Sequence, residues 1–589
     1  MESPQSGLRA QIENEIQQYL TGVVQVSEDN NYSQAKLVRR ISLFENHIYP
    51  TGKFDSQGNY KFWFDIIPLR IDSEVKNVDF DTKNITAYSD RKIDELPNII
   101  VNLKIKEYLR ENGQAEELNS AIEEGSGWGN VVWKKVKKGY ERVDLKNFYV
   151  INQTAKCLDE SPCIERHELS QSDLRAKSGA WEYVEEVIKE CKLNSYQETA
   201  ETRGMDTTVP YYLIYERNGE VSVKDLKEAK GKTVREGDEN KYVLAKVIVA
   251  ASKGTGPTGG TVNVKYVLFA DEISKMPYKE YHRSRYKGRW FREGLTELLF
   301  DLQVRANQIG NQLAQGLEWA SKTIFTSNSK LIIQNVLTDL KNGDIIRAEN
   351  LQHLQVRMEG LDQLANDWNR VIQMANDIAN SREIVQGEAL PSGTPFRLGA
   401  LYNQNANKLF DFIREKLAIP LSEIFEEWII PQLVKELKVK EVMRLVGDSD
   451  LMERLRRLVV DSWYLENLLA IGPHDAMTAD MLKTAKLEEL KQRPQLLMKG
   501  LAGVFEGYKP NVSIVITGEN STMNEDLQTL SSFAQLEADP IRRSAIVELM
   551  ARKKGLDFGA LPKSQPVQQP QPVSPITPLA GVPVGAKVA

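Results

Sequence analysis

The sequence predicts an α+β fold. Helical and extended patterns alternate to about residue 205, three Val/Ile/Tyr-rich runs follow between 209 and 270, and from Gly294 the periodicity turns helical. At 589 residues the chain has room for several domains of ordinary size. With 41% hydrophobic and 27% charged residues, every part except the tail can build a core.

SQAKLVRRISLFENHIY, 33–49, reads as a helix, and NYKFWFDIIPLRI, 59–71, as a strand running to a proline. TVPYYLIYERNGEVSVKDL carries a hairpin signal at Asn218-Gly219, and KYVLAKVIVAAS and VNVKYVLFA read as further strands. Together they suggest a small β unit over 209–270, a compact barrel or sandwich.

LTELLFDLQVRANQIGNQLAQGLEWAS extends to Ser321, and a continuous helix there would span about 42 Å at 1.5 Å per residue. Gly310 and Gly316 weaken its last turns. A short mixed segment, 322–358, separates it from a second helix over 359–382. QGEALPSGTPFRLG, 386–399, then breaks the pattern with Gly, Pro, Ser and Thr. Beyond it Tyr402, Ala406, Leu409, Ile413 and Leu417 form one apolar stripe, and Leu421, Ile424, Phe425, Trp428 and Leu433 continue it past Pro420, which is expected to end or kink the helix. Residues 446–556 read as mainly helical, with one strand at NVSIVITG and with Leu451, Leu455, Leu458, Trp463 and Tyr464 as core. Seven prolines from Leu561 onward predict a disordered tail over 557–589.

A formal net charge of −6 argues against affinity built on neutralising phosphates. Three cysteines, an odd number, suit a reducing compartment, and no apolar run is long enough for a membrane span. The chain reads as soluble. No nucleotide cradle emerges: Gly231-Lys232-Thr233 supplies the end of one, but Leu226 stands where its first glycine belongs. KGTGPTGGT, 253–261, reads as a hairpin loop. Cys157, Cys163 and His167 match no zinc spacing and read as isolated buried thiols with a histidine. Asp79 and Asp81 would share one face of a strand, as the carboxylates of a metal-dependent nuclease do, so that enzyme is the rival reading. Five histidines and no nucleophile elbow leave no enzyme advertised, and no cofactor or metal is called for.

Four stretches resemble a family. EEGSGWGNVVWKKVKKGYERVDLKNFYVINQTAKCLDESPCIERHELSQSDL has a glycine-aromatic-glycine turn, a charged hairpin and an Asp/Glu-rich stretch leading into a helix. MPYKEYHRSRYKGRWFREGLTELLFDLQVRANQIGNQL passes from a proline-aromatic pair into an Asn/Gln-rich helix. The helix, insertion and helix of Gly294–Arg382 and the break with its long following helix are the others. In this order they resemble the tailed-bacteriophage portal protein, over roughly residues 30 to 550.

The resemblance implies a wing over 1–293 containing a small β-barrel, stem helices at 294–321 and 359–382 around a clip at 322–358, a tunnel loop at 383–399, a long kinked helix over 400–445 and a crown over 446–556. It implies a homo-oligomeric ring, usually of twelve subunits, at a capsid vertex of the virion, assembled in the host cytoplasm. Double-stranded DNA would pass through the channel. The large terminase and then head-completion or adaptor proteins would dock at the clip, and scaffold or major capsid protein would meet the wing; no membrane is involved. Another head-tail component is the remaining alternative. Gly387, Glu388, Pro391, Ser392, Gly393, Thr394, Pro395 and Arg397 would face DNA. Glu297, Asp301 and Arg305 on the first stem helix and Asp362, Asp367 and Arg370 on the second would line a weakly acidic, amide-rich channel. Lys330, Lys341, Asn342, Asp344 and Arg347 would form the docking surface around an Asn-Gly turn.

Overall fold

The computed structural model describes residues 6–27, 30–49, 51–54, 58, 60–78, 85–89, 95–193, 211–235, 237–253, 262–321, 324–326, 352–354, 360–379, 396–437, 453, 456–464, 467, 476–493, 508, 510–514, 530–535 and 546. The chain divides into two units, Met1–Ile516 and Thr517–Ala589, and every element below belongs to the first. Helix and sheet are mixed, and every strand pairing among the described residues is antiparallel, which is the α+β class.

Helix α1 (Ser6–Thr21) leads through a ribbon, β1 (Val24–Ser27) and β2 (Asn30–Tyr32), to α2 (Gln34–Glu45). Then come α3 (Ile67–Val78), β3 (Ile85–Tyr88), α4 (Glu95–Glu111), α5 (Gln114–Trp128), and a hairpin of β4 (Asn130–Val136) and β5 (Gly139–Arg142). After β6 (Phe148–Val150) and β7 (Cys163–Ser170) follow α6 (Gln171–Ala176), α7 (Val184–Glu190), β8 (Lys192–Leu193), β9 (Tyr211–Ser222), α8 (Val223–Ala229), β10 (Tyr242–Lys253), β11 (Val262–Glu272) and β12 (Tyr278–His282).

The main sheet runs β11-β10-β9-β7-β6, with β8 also on β9. Alternation along its strands feeds two cores. Leu213, Tyr215, Val247 and Val249 meet Leu8, Ile12 and Ile16 of α1, while Tyr212, Ile214, Ile248 and Ala250 meet α6 and α7. Both faces are covered, which is why these strands read as nearly continuous apolar runs. The fully buried Arg217 forks onto Glu15 at 2.7 and 2.9 Å and ties α1 to the sheet.

Two expectations are corrected here. Asn218-Gly219 is not a turn: β9 runs straight through it, with Asn218 opposite Lys246 on one side and Cys163 on the other. Gly219 is required by contact, since a Cβ there would lie 2.8 Å from Pro162. Nor do 209–270 form a separate barrel or sandwich, because β9–β11 extend a sheet begun by β6 and β7.

The second half opens with α9 (Leu295–Leu298) and α10 (Phe300–Ser321), broken only at Leu299. Helix α10 passes through both of its doubtful glycines. A Cβ on Gly310 would strike the Phe64 ring at 2.3 Å, and one on Gly316 would reach Leu361 at 2.8 Å, so the glycines permit close packing. Strands β13 (Ile324–Thr326) and β14 (Gln352–Leu354) pair, and α11 (Leu361–Ile378) returns along α10.

Helix α12 (Phe396–Ile424) is not ended by Pro420, which sits inside it. The disturbance comes later, as a π-helical segment, Phe425–Ile429, before α13 (Ile430–Glu436). Pro431 has no N–H to donate, and the Ile430 N–H reaches five residues back to Phe425. The buried stripe is offset from the expected one: Phe410 takes the place of the partly exposed Leu409, with Ile413, Leu417, Leu421 and Ile424 following. This stripe packs on α4, α5 and β3. Helix α14 (Ala476–Gln492) and β15 (Asn511–Ile514) follow, and β15 pairs with β3 more than 400 residues earlier. Trp463 and Tyr464 are half-buried under Lys486 and Lys483, at 5.0 and 4.8 Å, and are not deep core.

Candidate functional site

The α10–α11 pair carries the charged candidates, and its placement begins with an amide ladder. Gln303, Asn307 and Asn311 stand four residues apart on one face of α10. Their side-chain oxygens accept the backbone N–H groups of Ile66, Phe64 and Phe62 at 3.1, 2.9 and 2.8 Å. Gln303 and Asn311 also donate to the carbonyls of Phe64 and Phe62. The FWF segment predicted as a strand is therefore extended but joins no sheet. A helix face supplies the partners that a neighbouring strand would have given.

These amides are turned toward residues 62–66. Among the described side chains, those that α10 exposes are Asp301, Val304, Arg305, Gln308, Gln312 and Leu317, with one negative and one positive charge among them. Glu297 is no free charge either: Arg289 grips both its oxygens at 2.8 Å, while burial, opposed by that arginine, pushes its carboxyl upward. Arg305 lies 2.6 Å from Asp367 of α11. Asp301 is fully exposed with Arg40 at 3.7 Å, and Asp362 and Arg370 are exposed. The structure thus brings Arg305 and Asp367 together and leaves Asp301, Asp362 and Arg370 as the outward charges.

The loop and clip candidates fall largely outside the described residues: Gly387, Glu388, Pro391, Ser392, Gly393, Thr394 and Pro395, and Lys330, Lys341, Asn342, Asp344 and Arg347. Arg397 is in the first turn of α12, since helix already begins at Phe396, inside the span assigned to the tunnel loop. Asp79 and Asp81 of the nuclease reading also lie outside.

Where α5, β12 and the entry to α9 meet, Asn130 is fully buried. Its oxygen accepts the Arg292 N–H at 3.0 Å, and its amide donates to the carbonyls of Arg292 and Trp128. His282 Nδ1 lies 2.7 Å from the same side chain. One asparagine holds the end of α5, the end of β12 and the entry to α9.

A second polar cluster sits on the main sheet. Cys157, Cys163 and His167 do not converge on a metal; His167 joins Glu165 and Glu216 instead, with ligand atoms within 4.8 Å of one another. Lys134 lies 2.6 and 2.9 Å from those carboxylates and Lys246 2.8 Å from Glu216. Two ammonium groups already match the two negative charges. Burial opposes ionisation of Glu216, yet Lys134 and Lys246 overcome it and hold the carboxyl at about 2. Gly231-Lys232-Thr233 follows the C-terminus of α8, the wrong end of a helix for phosphate. Among the described residues no helix is long and apolar enough to cross a membrane.

Neither a family model nor a curated protein matches this chain. Its own geometry is therefore what bears on function.

Sequence reasoning missed the ladder and the Glu165–Glu216 cluster, although a signal for each was present. Amides at 303, 307 and 311 keep strict helical spacing, and Glu165 and His167 share one face of a period-2 strand.

Proposed function

We propose that this chain is the subunit of a portal-type ring, a DNA conduit and docking platform at a capsid vertex, without catalysis of its own. The observation that carries the reading is the α10–α11 pair. Two helices rise from one shared hydrophobic core, pack along each other and bear the β13–β14 pair at their far end, where the resemblance puts the clip. Helix α12 then returns to the core of α4 and α5, as a helix following a tunnel loop would.

The charge pattern supports the same reading. With Glu297 of α9 tied to Arg289 and Arg305 of α10 to Asp367, the described outward side chains of α9 and α10 leave a nearly neutral surface that carries Gln308 and Gln312. Phosphates would slide past such a wall, because few cations stand ready to hold them.

Imaging of negatively stained purified protein, with mass measurement by light scattering, tests the proposal. Rings with a central hole are expected. A stable monomer across salt and protein concentrations would overturn it.

A further inference from the structure

The stretch HRSRYKGRWFR, 282–292, joins β12 to α9 and holds Arg283, Arg285, Lys287, Arg289 and Arg292 without a single acid. Three of these cations are matched from outside it. Glu74 grips Arg283 at 2.8 Å on each arm, Glu293 takes Lys287, and Glu297 takes Arg289 at 2.8 Å. The exposed Arg285 and the buried Arg292 have no ion pair among the described residues.

Arg292 is 8% exposed and is held by neutral groups. Its Nε and Nη2 donate to the carbonyls of Trp290 and Lys156 at 3.3 and 3.0 Å, and its guanidinium carbon lies 4.8 Å over the Tyr286 ring. Nη1 makes no hydrogen bond, yet it is not sealed from solvent. Glu280 is the carboxylate that acts on Arg292 from a distance, but its oxygens accept the Leu158 N–H at 3.0 Å and the Trp290 indole at 2.6 Å.

The two ends of the loop meet at Gly129 and Asn130. The Arg283 N–H donates to the Gly129 carbonyl at 2.9 Å, and the Arg292 carbonyl accepts from the Asn130 amide at 3.0 Å. Here α12 brings in the partly buried Lys416, whose Nζ donates to the Arg283 carbonyl at 3.1 Å and has no ion pair among the described residues. Burial, and then the charges of Arg292 and Arg283, hold the Lys416 ammonium below its ordinary value; burial, opposed by Glu280, lowers Arg292 as well. Buried charges are ordinarily paired. Two that act on each other and are matched only by carbonyls and rings leave positive charge for an anion to complete.

We propose that Arg292 Nη1 and Lys416 Nζ, with Arg285 of the same loop, bind a phosphate group. Three cations suit a tetrahedral oxyanion of multiple charge better than a single carboxylate. A guanidinium beside an ammonium supplies both directed donors and a point charge. The phosphate belongs either to a small anion or to the backbone of a nucleic acid. All three cations come from one chain, so the site does not depend on assembly into a ring.

Calorimetric titration of the full chain with inorganic phosphate, with a short DNA duplex and with a glutamate-rich peptide, all in chloride buffer of one ionic strength, tests this. Saturable binding of phosphate, of the duplex or of both supports the site, and which of them binds identifies the source. Lys416→Met, which keeps an apolar stem beside Phe412, should weaken binding roughly tenfold. Arg285→Gln, an exposed change that spares the fold, should weaken it severalfold. No saturable binding of phosphate or of the duplex would overturn the proposal. So would binding unaltered in both variants, or a glutamate-rich peptide bound as tightly as the better phosphate probe.

Discussion

Gly129 and Gly294 stand back to back: a Cβ on Gly294 would lie 2.4 Å from the Gly129 nitrogen, and one on Gly129 2.5 Å from the Gly294 nitrogen. Gly129, with φ of +81°, ends α5, and Gly294 caps α9. The joint between α5 and α9 is thus a backbone-to-backbone contact. Gly129→Ala adds left-handed strain of about 1–2 kcal/mol to an overlap no rotamer can relieve. A total loss of roughly 3 kcal/mol or more is expected, read as a lowered urea midpoint. Gly52, whose surroundings are open although its φ is also positive, should lose only the strain when changed to Ala.

The amide ladder gives a graded expectation. Gln303 is fully buried, and Gln303→Leu strands the Ile66 N–H and the Phe64 carbonyl, at about 1–3 kcal/mol for each unsatisfied group. Asn311 serves the exposed Phe62, where water can substitute, so Asn311→Leu should cost under about 1 kcal/mol. Hydrogen exchange should show the Ile66 amide losing protection in the first variant. Equal effects in both would mean the ladder is not what holds the segment.

Glu74 and Arg283 form a buried, two-pronged pair, 2.8 Å on each arm, joining α3 to the chain after β12. Glu74→Ala leaves a buried guanidinium unmatched and should cost about 3–5 kcal/mol. Glu74→Leu with Arg283→Met removes both charges and should recover much of that loss. Thermal unfolding of the single and double variants checks the difference.

Where local pattern and packing agreed, the fold was legible: β10 and β11 announce themselves because both faces of their sheet are covered, and α10 because its periodicity survives two glycines. Asn218-Gly219 misled because turn preference is local, whereas β7 and β10 hold that stretch extended from both sides. The strand at 511–514 could be read, but its partner 85–88 lies too far away in sequence for any spacing rule. Among the site residues, helical charges were visible and their pairing was not. Arg305 meets Asp367 across 62 residues, so a channel wall inferred from charge counts carried acids that the fold had already neutralised.

Two carboxylates give opposite pH dependences. Glu124 is raised from 4.5 to about 7, so the folded chain holds a proton that the unfolded chain releases. Its contribution is full below about pH 4.5 and is lost as pH rises through 7. Glu216, lowered from 4.5 to about 2, contributes fully above pH 4.5 and loses its contribution as pH falls toward 2. In Glu124→Gln the decline in urea midpoint between pH 5 and pH 8 should be shallower than in the parent chain, with the acid limb below pH 4.5 unchanged. An identical slope in both proteins would show that Glu124 does not titrate in that window.

The last expectation rests on the ring proposal and concerns 386–399. About five residues out and five back, at roughly 3.3 Å each, could carry a loop some 15 Å from the stem. Glu388 would repel phosphate there, and Arg397, already in the first turn of α12, would stand at the loop's root where a phosphate contact can be held firmly. The described cores of α10–α11 and α12 are built from residues outside Leu390–Pro395, so with that segment removed rings should still assemble and unfold at the same temperature. Packaged DNA should be lost or retained poorly in an in vitro packaging assay, and Arg397→Glu should weaken retention less than the deletion does. Rings that package and hold DNA at the parent level would reduce the segment to a connection between two helices.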